Sequence, residues 1–304
     1  MKKKLFYLVF FVVLLALVSN VSAATYSWKT GLTNGDWFTA TNWTVAPPGP
    51  TFAPLITDGT SIHNGGAVPT TAANGIFISG GNATALEIRV GGAGNPISVP
   101  PGQASDKFGY LTMSGGTLTT TNWLMAGTDS SAFRSGEIIM SGGAMTLGSG
   151  AVRTNGHLYI GSGRDADPNT AVVTGILRMT SGTIDAGGTF GVARRHTSGY
   201  VYLDGGTIYA NDFNMKDPGT ILGGLSGTAY MNITGSGKVI IGGDKTGVIA
   251  TYISKGWLMG NGNDYDILYD YNISNAGKTT IYVPEPATIC LLAIGALSLL
   301  RRRK

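Results

Sequence analysis

The chain has 304 residues and a formal net charge of +4, but only 12% of its residues are charged and 47 are glycine. Seven basic residues lie in the two terminal segments, and the part between them carries 14 Lys and Arg against 16 Asp and Glu. This mildly acidic composition argues against a nucleic-acid-binding surface. The abundance of Gly, Ser, Thr and Asn disfavours helices, and the only cysteine, Cys290, lies in the C-terminal segment. We therefore expect an all-β protein that is held together without disulfides.

The first 23 residues are organised like a secretory signal peptide. Lys2 to Lys4 form a basic segment, Leu5 to Val18 an apolar segment, and Val21-Ser22-Ala23 a small-residue cleavage site. This order predicts a signal helix at residues 1–23, export of the chain and cleavage after Ala23. The alternative is an uncleaved N-terminal anchor.

Residues 24–104 differ in composition from the segment that follows, and we predict that they form an N-terminal β region or cap. They include three of the five tryptophans, Trp28, Trp37 and Trp43. One interpretation is that these rings cover the otherwise open first edge of a sheet. The other is that they form an aromatic platform on which the apolar face of a sugar stacks.

Residues 105–282 contain five copies of one pattern, followed by a predicted C-terminal cap. The copies are GYLTMSGGTLTT from Gly109, GEIIMSGGAMTL from Gly136, GILRMTSGTIDA from Gly175, GYVYLDGGTIYA from Gly199 and the looser GTAYMNITGSGKVII from Gly227. Each copy has an alternating strand, a glycine-containing corner and a second short strand. A third apolar patch follows in four of the copies. Such units bury their apolar sides by stacking on one another.

Three strands in each repeating unit predict a right-handed parallel β-helix, flanked by the N-terminal signal helix and a C-terminal apolar helix. Equivalent side chains of successive copies then form ladders with a spacing of about 4.8 Å. The predicted interior ladder consists of Met113, Met140, Met179, Leu203 and Met231. The predicted corner ladder consists of Thr117, Ala144, Thr183 and Thr207. The alternative fold is a β-sandwich or jelly roll, in which short strands recur at a similar spacing.

The sequence pattern of these repeats, over residues 109–243, resembles the autotransporter-associated β-strand repeats of bacterial surface proteins. That resemblance implies a β-helical domain of the kind found in exported passenger domains.

The best candidates for catalytic carboxylates are Asp185 and Asp204, because glycosidases and polysaccharide lyases use acidic side chains. Aligned on the repeat, Asp185 matches Thr119, Thr146 and Tyr209, whereas Asp204 matches Ser114, Ser141 and Thr180. The two carboxylates therefore belong to different columns, and we predict that both are ordinary solvated side chains and that the protein is not an enzyme.

No strong metal or cofactor site is predicted. Asp165, Asp167 and Asn169 alternate like the first ligands of a calcium loop, but the glycine and glutamate that complete an EF-hand loop are missing. Asn263, Asp264 and Asp266 are a weaker group of the same kind. The histidines, His63, His157 and His196, lie far apart without metal-ligand spacing. We expect no cofactor, with Ca²⁺ as the alternative.

Residues 283–304 combine a proline-rich motif, an apolar run and a basic cluster. Val283-Pro284-Glu285-Pro286 precedes an uncharged run of fourteen residues, Ala287 to Leu300, and then Arg301, Arg302, Arg303 and Lys304. A permanent membrane helix needs about twenty residues, and the basic cluster favours the cytoplasmic side. This segment resembles the PEP-CTERM sorting signal of Gram-negative and related bacteria.

The resemblance implies that the partner is exosortase, a membrane protease that recognises Pro-Glu-Pro and removes the tail after transient membrane insertion. It implies a place at the cell surface or in the extracellular matrix. We expect a structural or adhesive protein that contacts exopolysaccharide. The alternative is a carbohydrate-active enzyme, a polysaccharide lyase or hydrolase, on the same scaffold.

Overall fold

The computed structural model describes residues 35–38, 60–62, 76–85, 87–90, 107–128, 134–148, 150–162, 173–195, 197–216 and 227–284. The predicted signal peptide and the tail beyond Pro284 lie outside these residues. The described part is all-β, as the composition predicts. Its strands are β1 (Gly35–Asp36), β2 (Thr60–Ile62), β3 (Ile76–Ile78), β4 (Asn82–Ala85), β5 (Ile88–Val90), β6 (Lys107–Met113), β7 (Thr117–Thr120), β8 (Leu124–Thr128), β9 (Arg134–Leu147), β10 (Leu158–Ser162), β11 (Thr174–Arg194), β12 (Ser198–Leu203), β13 (Thr207–Met215), β14 (Ala229–Ile233), β15 (Lys238–Gly242), β16 (Leu258–Gly260), β17 (Leu268–Tyr271) and β18 (Lys278–Tyr282). A 3-10 helix covers Gly150–Asn155, and an α-helix, α1, covers Thr246–Ser254.

The strands pair in three series, and within each series strands from successive copies of the repeat are parallel. The first series is β1, β3, β6, the first part of β9, the first part of β11, β12, β14 and β16. The second is β4, β7, the last part of β9, the middle of β11, the first part of β13 and β15. The third is β2, β5, β8, β10 and the last parts of β11 and β13. The long strands β9, β11 and β13 take part in more than one series.

The ladders inside the protein explain why these segments form strands. Leu118, Met145, Ile184, Ile208 and Val239 are in register along the second series and are buried. In the third series Leu124, Leu158, Phe190 and Phe213 are in register, and the two phenylalanine rings stack with centroids 5.2 Å apart. Because alternate side chains point inward, a period-2 sequence provides one continuous apolar core. Each fully buried side chain of this size contributes about 1.5–3 kcal/mol to stability.

The predicted interior ladder is confirmed at four of its five positions. Met113, Met140, Met179 and Leu203 are in register in the first series. The prediction was wrong for Met231, which pairs with Val201, while Ile233 pairs with Leu203. The fifth copy therefore aligns two residues further along than the loose sequence match suggested. Met231 is still fully buried, so its inward direction was predicted correctly.

The corner ladder of Thr117, Ala144, Thr183 and Thr207 is confirmed. Just before each of these residues stands a glycine with positive φ, the highest value being 92° at Gly182. A Cβ on Gly182 would also lie 2.7 Å from the Gly143 carbonyl oxygen of the neighbouring copy. The corner requires glycine both for its left-handed backbone and for the close approach of stacked backbones.

The C-terminal end of the stack has a different construction. β18 pairs with β15 antiparallel, and β17 pairs with β18 antiparallel. Helix α1 was not predicted. It buries Ile249 and Tyr252, and the Tyr252 ring meets the Phe213 ring edge-on at 5.7 Å.

Candidate functional site

An aromatic surface lies on the outer side of the first series. Strand β12 buries Val201 and Leu203, so that Tyr200 and Tyr202, which alternate with them, point outward and are half-buried. Tyr200 is in register with Tyr230 of β14. The Tyr230 ring centroid is 6.5 Å from that of Tyr200 and 5.9 Å from that of Tyr202.

A charged pair borders these rings. The Arg178 Nε donates a hydrogen bond of 2.7 Å to Glu137 Oε1, and its guanidinium lies 4.4 Å from the centre of the Tyr202 ring. Glu137 is only 9% exposed, whereas the Arg178 side chain is 48% exposed. We call Tyr200, Tyr202, Tyr230, Arg178 and Glu137 the tyrosine face.

Two tyrosines of this side, Tyr110 and Tyr230, carry neutral hydroxyl groups at neutral pH. Burial raises the pKa of Tyr230 above its usual value, and the neighbouring Tyr202 raises it further. Burial also raises the pKa of Tyr110, with a second contribution from the charge of Glu137. The surface therefore offers rings, neutral hydroxyl groups, a guanidinium and a carboxylate. Such groups are able to contact a sugar by ring stacking and hydrogen bonds.

The residues of the tyrosine face lie within the repeats, but the sequence pattern did not assign them to a site. The signal was the period of β12: in GYVYL, the tyrosines alternate with Val and Leu. Because Val201 and Leu203 were expected inside, Tyr200 and Tyr202 had to be outside. The Arg178–Glu137 contact, between residues 41 positions apart, depends on the register of β9 with β11.

A second aromatic group lies on the outer side of the third series. The His157 and Tyr159 rings stack at 5.4 Å, Trp123 meets both edge-on, and the Arg194 guanidinium lies 5.0 Å from the Tyr159 ring centre. The Thr189 backbone N–H donates a hydrogen bond of 2.9 Å to His157 Nδ1. Burial lowers the pKa of His157, and the positive charge of Arg194 lowers it further. His157 is therefore uncharged at neutral pH.

The candidate carboxylates take separate positions. Asp185 lies in register with Thr146 and Tyr209, as predicted, and accepts a hydrogen bond of 2.5 Å from Arg153. Asp204 lies at a different corner, where it accepts a hydrogen bond of 2.6 Å from the Thr234 hydroxyl. Each carboxylate has its own partner, and the strand register places them in different columns.

Asp185 and Arg153 border a shallow pocket of about 180 Å³ on the second series. Tyr209, Asn211 and Lys278 also line it, and the Lys278 ammonium lies 5.9 Å from the centre of the Tyr209 ring. The pocket offers two cations, one paired carboxylate and one aromatic ring.

The weak candidates for a metal site lie only partly within the described residues. Asp165, Asp167 and Asn169 lie outside the described residues, as do His63 and His196. The Asn263 side-chain oxygen accepts hydrogen bonds from the backbone N–H groups of Tyr265 and Asp266, which makes this segment a turn. Within the described ranges, no group of three or more His, Cys, Asp or Glu side chains is arranged to hold a metal ion.

The predicted tryptophan platform can be tested at one of its three members. Trp37 is fully buried in the core, so its ring packs inside the protein and is not available to stack on a sugar. Trp28 and Trp43 lie outside the described residues.

Comparison with known proteins assigns the C-terminal segment. Residues 283–304 match the PEP-CTERM protein-sorting motif. This chain carries a PEP-CTERM sorting signal. The motif is recognised by exosortase, and it implies export and membrane-associated sorting in Gram-negative bacteria. No curated protein and no solved structure matches the chain. Among the residues that the structure describes, no helix is long and apolar enough to cross a membrane.

Proposed function

We propose that this PEP-CTERM protein is a structural or adhesive component of the cell surface or extracellular matrix, and that it contacts exopolysaccharide through the tyrosine face. The observation that carries the proposal is the set of outward rings on β12 and β14, with Arg178 across one of them.

The scaffold for this role is a right-handed parallel β-helix whose three faces are the three series of strands. Parallel pairing between successive copies supports this architecture, because the strands of a sandwich or jelly roll are mainly antiparallel. Repeated parallel strands give a long outer wall with polar and aromatic side chains. Several weak sugar contacts along such a wall add up to a useful avidity.

The proposal includes export of the chain and removal of its C-terminal tail. The signal peptide directs export, the apolar run of residues 287–300 inserts transiently into the membrane, and exosortase removes the tail at Pro284-Glu285-Pro286. The central part then remains at the surface or in the matrix without a covalent tail helix.

The test uses the exported protein purified from the producing cells, incubated with the exopolysaccharide of the same cells. Retention of protein on the glycan and the chain length of the glycan are measured together. Retention without shortening supports the adhesive role. Absence of retention contradicts it.

The second candidate is a carbohydrate-active enzyme, for which the specific observation is the pocket with Arg153, Asp185 and Lys278. Shortening of the glycan in the same assay would favour this candidate. The first substitution would then be Asp185→Asn, which removes the charge and keeps the shape of the side chain. Because Asp185 is paired with Arg153 and Asp204 lies in another column, we favour the adhesive role.

A further inference from the structure

The chain leaves the described fold next to exposed apolar side chains. Val283 is 5% exposed, and it packs beside Gly260, where an added Cβ would lie 2.7 Å from Val283 Cγ1. In the hairpin of β17 and β18, Leu268 lies opposite Tyr282. Leu268 is 42% exposed, and Tyr265, three residues earlier, is 79% exposed. We call Tyr265, Leu268 and Tyr282 the exit patch.

The loop that carries Tyr265 lies on the same side as Val283. The Cβ position on Gly260 that meets Val283 also lies 2.9 Å from the carbonyl carbon of Asp266 and 2.8 Å from the Ile267 nitrogen. Tyr265 is bonded directly to Asp266 and is largely exposed, so it lies at the end of the fold at which the chain departs.

The number of residues between Val283 and the apolar run of the tail limits the distance between them. The apolar run begins at Ala287, four residues after Val283. Four residues span at most about 14 Å even when fully extended. The headgroup layer on each side of a bilayer is roughly 5–7 Å thick. When the run lies in the hydrocarbon core, the exit patch is therefore held within reach of the headgroups.

We propose that the exit patch is a membrane-contact surface of the unprocessed protein. Before the tail is removed, the C-terminal end of the stack rests on the bilayer, with the Tyr265 ring and the Leu268 side chain among the headgroups. Tyrosine suits this position, because its ring prefers the membrane–water interface. The proposal rests on tail insertion, which is part of the proposed function.

The charges near the patch indicate which lipids it fits. Asp264 and Asp266 lie in the same loop, and Glu285 follows in the connection. The Asp266 carboxylate accepts a hydrogen bond of 2.9 Å from the Asn263 side chain. Acidic groups are repelled by anionic lipids and not by zwitterionic lipids. The contact is thus apolar and shallow, and it is stronger on a zwitterionic surface.

The experiment uses the full chain with Cys290→Ser and one new cysteine for a fluorescent label, reconstituted in phosphatidylcholine vesicles. The test position is Tyr265→Cys. The matched control is Ile273→Cys, which is 85% exposed and lies in the turn at the opposite end of the same hairpin. Flotation with the vesicles reports tail insertion, and quenching of the label by aqueous iodide reports membrane contact.

We expect the protein to float and the label at position 265 to be quenched about threefold less than the label at position 273, since an interfacial side chain is shielded from aqueous solute. Replacing half of the lipid with phosphatidylglycerol should reduce this protection. Equal quenching in floating protein would overturn the contact while tail insertion stands. Greater protection on the anionic vesicles would overturn the apolar assignment, and protein that fails to float would refute tail insertion and the contact with it.

Discussion

The guanidinium of Arg178 lies 4.4 Å from the centre of the Tyr202 ring, on the neighbouring strand of the first series. The same side chain donates a hydrogen bond to Glu137 on the strand before it. Arg178 therefore connects three successive strands on the outer side of the stack. A cation over an exposed ring contributes about 0.5–1 kcal/mol, which is enough to favour one orientation of the Tyr202 ring. Contacts within the protein therefore orient one ring of the tyrosine face.

Replacing Tyr202 tests whether this face binds glycan. We expect Tyr202→Ala to weaken retention on the exopolysaccharide by about fivefold to tenfold, because an aromatic contact contributes roughly 1 kcal/mol or slightly more. The measurement is retention of the purified protein on immobilised glycan over a range of protein concentrations.

The matched control is Tyr269→Ala. Tyr269 is also exposed, at 36%, but it lies on β17 of the C-terminal end. Its loss should leave retention unchanged. Equal losses in the two variants would show that the tyrosine face has no special role. Thermal unfolding of both variants shows whether either change acts through stability.

Two adjacent isoleucines test the interior ladders. Ile138 is fully buried, whereas Ile139, the next residue on β9, points outward and is half-buried. We expect Ile138→Ala to lower the free energy of unfolding by about 2–5 kcal/mol, because it removes apolar contacts and leaves a cavity. Ile139→Ala should cost about 1 kcal/mol or less, since surface substitutions have small effects.

Chemical denaturation of the two variants measures this difference directly. The residue type, the strand and the size of the truncation are the same in both, so only the direction of the side chain differs. Similar losses from the two substitutions would contradict the inside–outside assignment of β9.

The registers could be predicted from the sequence because each copy carries the same short period. Leu118, Met145 and Ile184 each follow the corner glycine by two residues, and this shared spacing predicts that they are in register. The alternation of apolar and polar residues predicts that they point inward. The same reasoning failed at Met231, where the fifth corner is longer by one residue. There the corner glycine was matched correctly, but the strand before it was aligned from Gly227, whereas Ala229 is the residue in register with Gly199.

Other features were not accessible from local patterns. Helix α1 contains Gly247 and two threonines, Thr246 and Thr251, which are weak helix formers. It forms because Ile249 and Tyr252 cover the end of the core near Phe213. The Arg153–Asp185 pair likewise depends on a 3-10 helix inserted between strands. Such contacts are determined by tertiary packing, to which propensity contributes little.

The corner glycines give a prediction with two internal controls. Gly143 has φ 82°, and a Cβ there would lie 2.8 Å from the Gly116 carbonyl oxygen. Gly262 has nearly the same φ, 81°, but nothing lies within 4 Å of its Cβ position. Gly262→Ala should therefore cost only backbone strain, about 1–2 kcal/mol. Gly143→Ala should cost clearly more, because two stacked corners must also move apart.

Substitution of Gly247 by alanine should have the opposite effect on the free energy of unfolding. It lies within α1, its φ is not positive, and its Cβ position is open. Alanine there should stabilise the protein by about 0.5–1 kcal/mol, because it lowers the entropy of the unfolded chain. Urea denaturation of the three alanine variants ranks them. Equal costs at positions 143 and 262 would show that the close approach of stacked corners does not affect stability.

His157 makes the stability of the fold depend on pH. Its Nδ1 accepts a hydrogen bond from the Thr189 N–H, and it lies between Trp123 and Tyr159 near Arg194. Burial first, and Arg194 second, lower the pKa of His157 below 6.5. The unfolded chain then binds a proton more readily than the folded chain. Stability should therefore fall as the pH drops below about 6.5 and should not change through this group above that value.

The control is His157→Asn, whose side-chain oxygen occupies the region of Nδ1 and can still accept from Thr189 without titrating. Urea denaturation of both proteins at pH 8, 7, 6 and 5 gives the free energy of unfolding. Contributions of other titrating groups, including His63 and His196, are shared and cancel in the difference. We expect the original protein to lose more stability than the variant between pH 7 and 5. Parallel curves would mean that the pKa of His157 is the same in the folded and unfolded chains, and the contacts with Thr189 and Arg194 would then contribute nothing to its charge state.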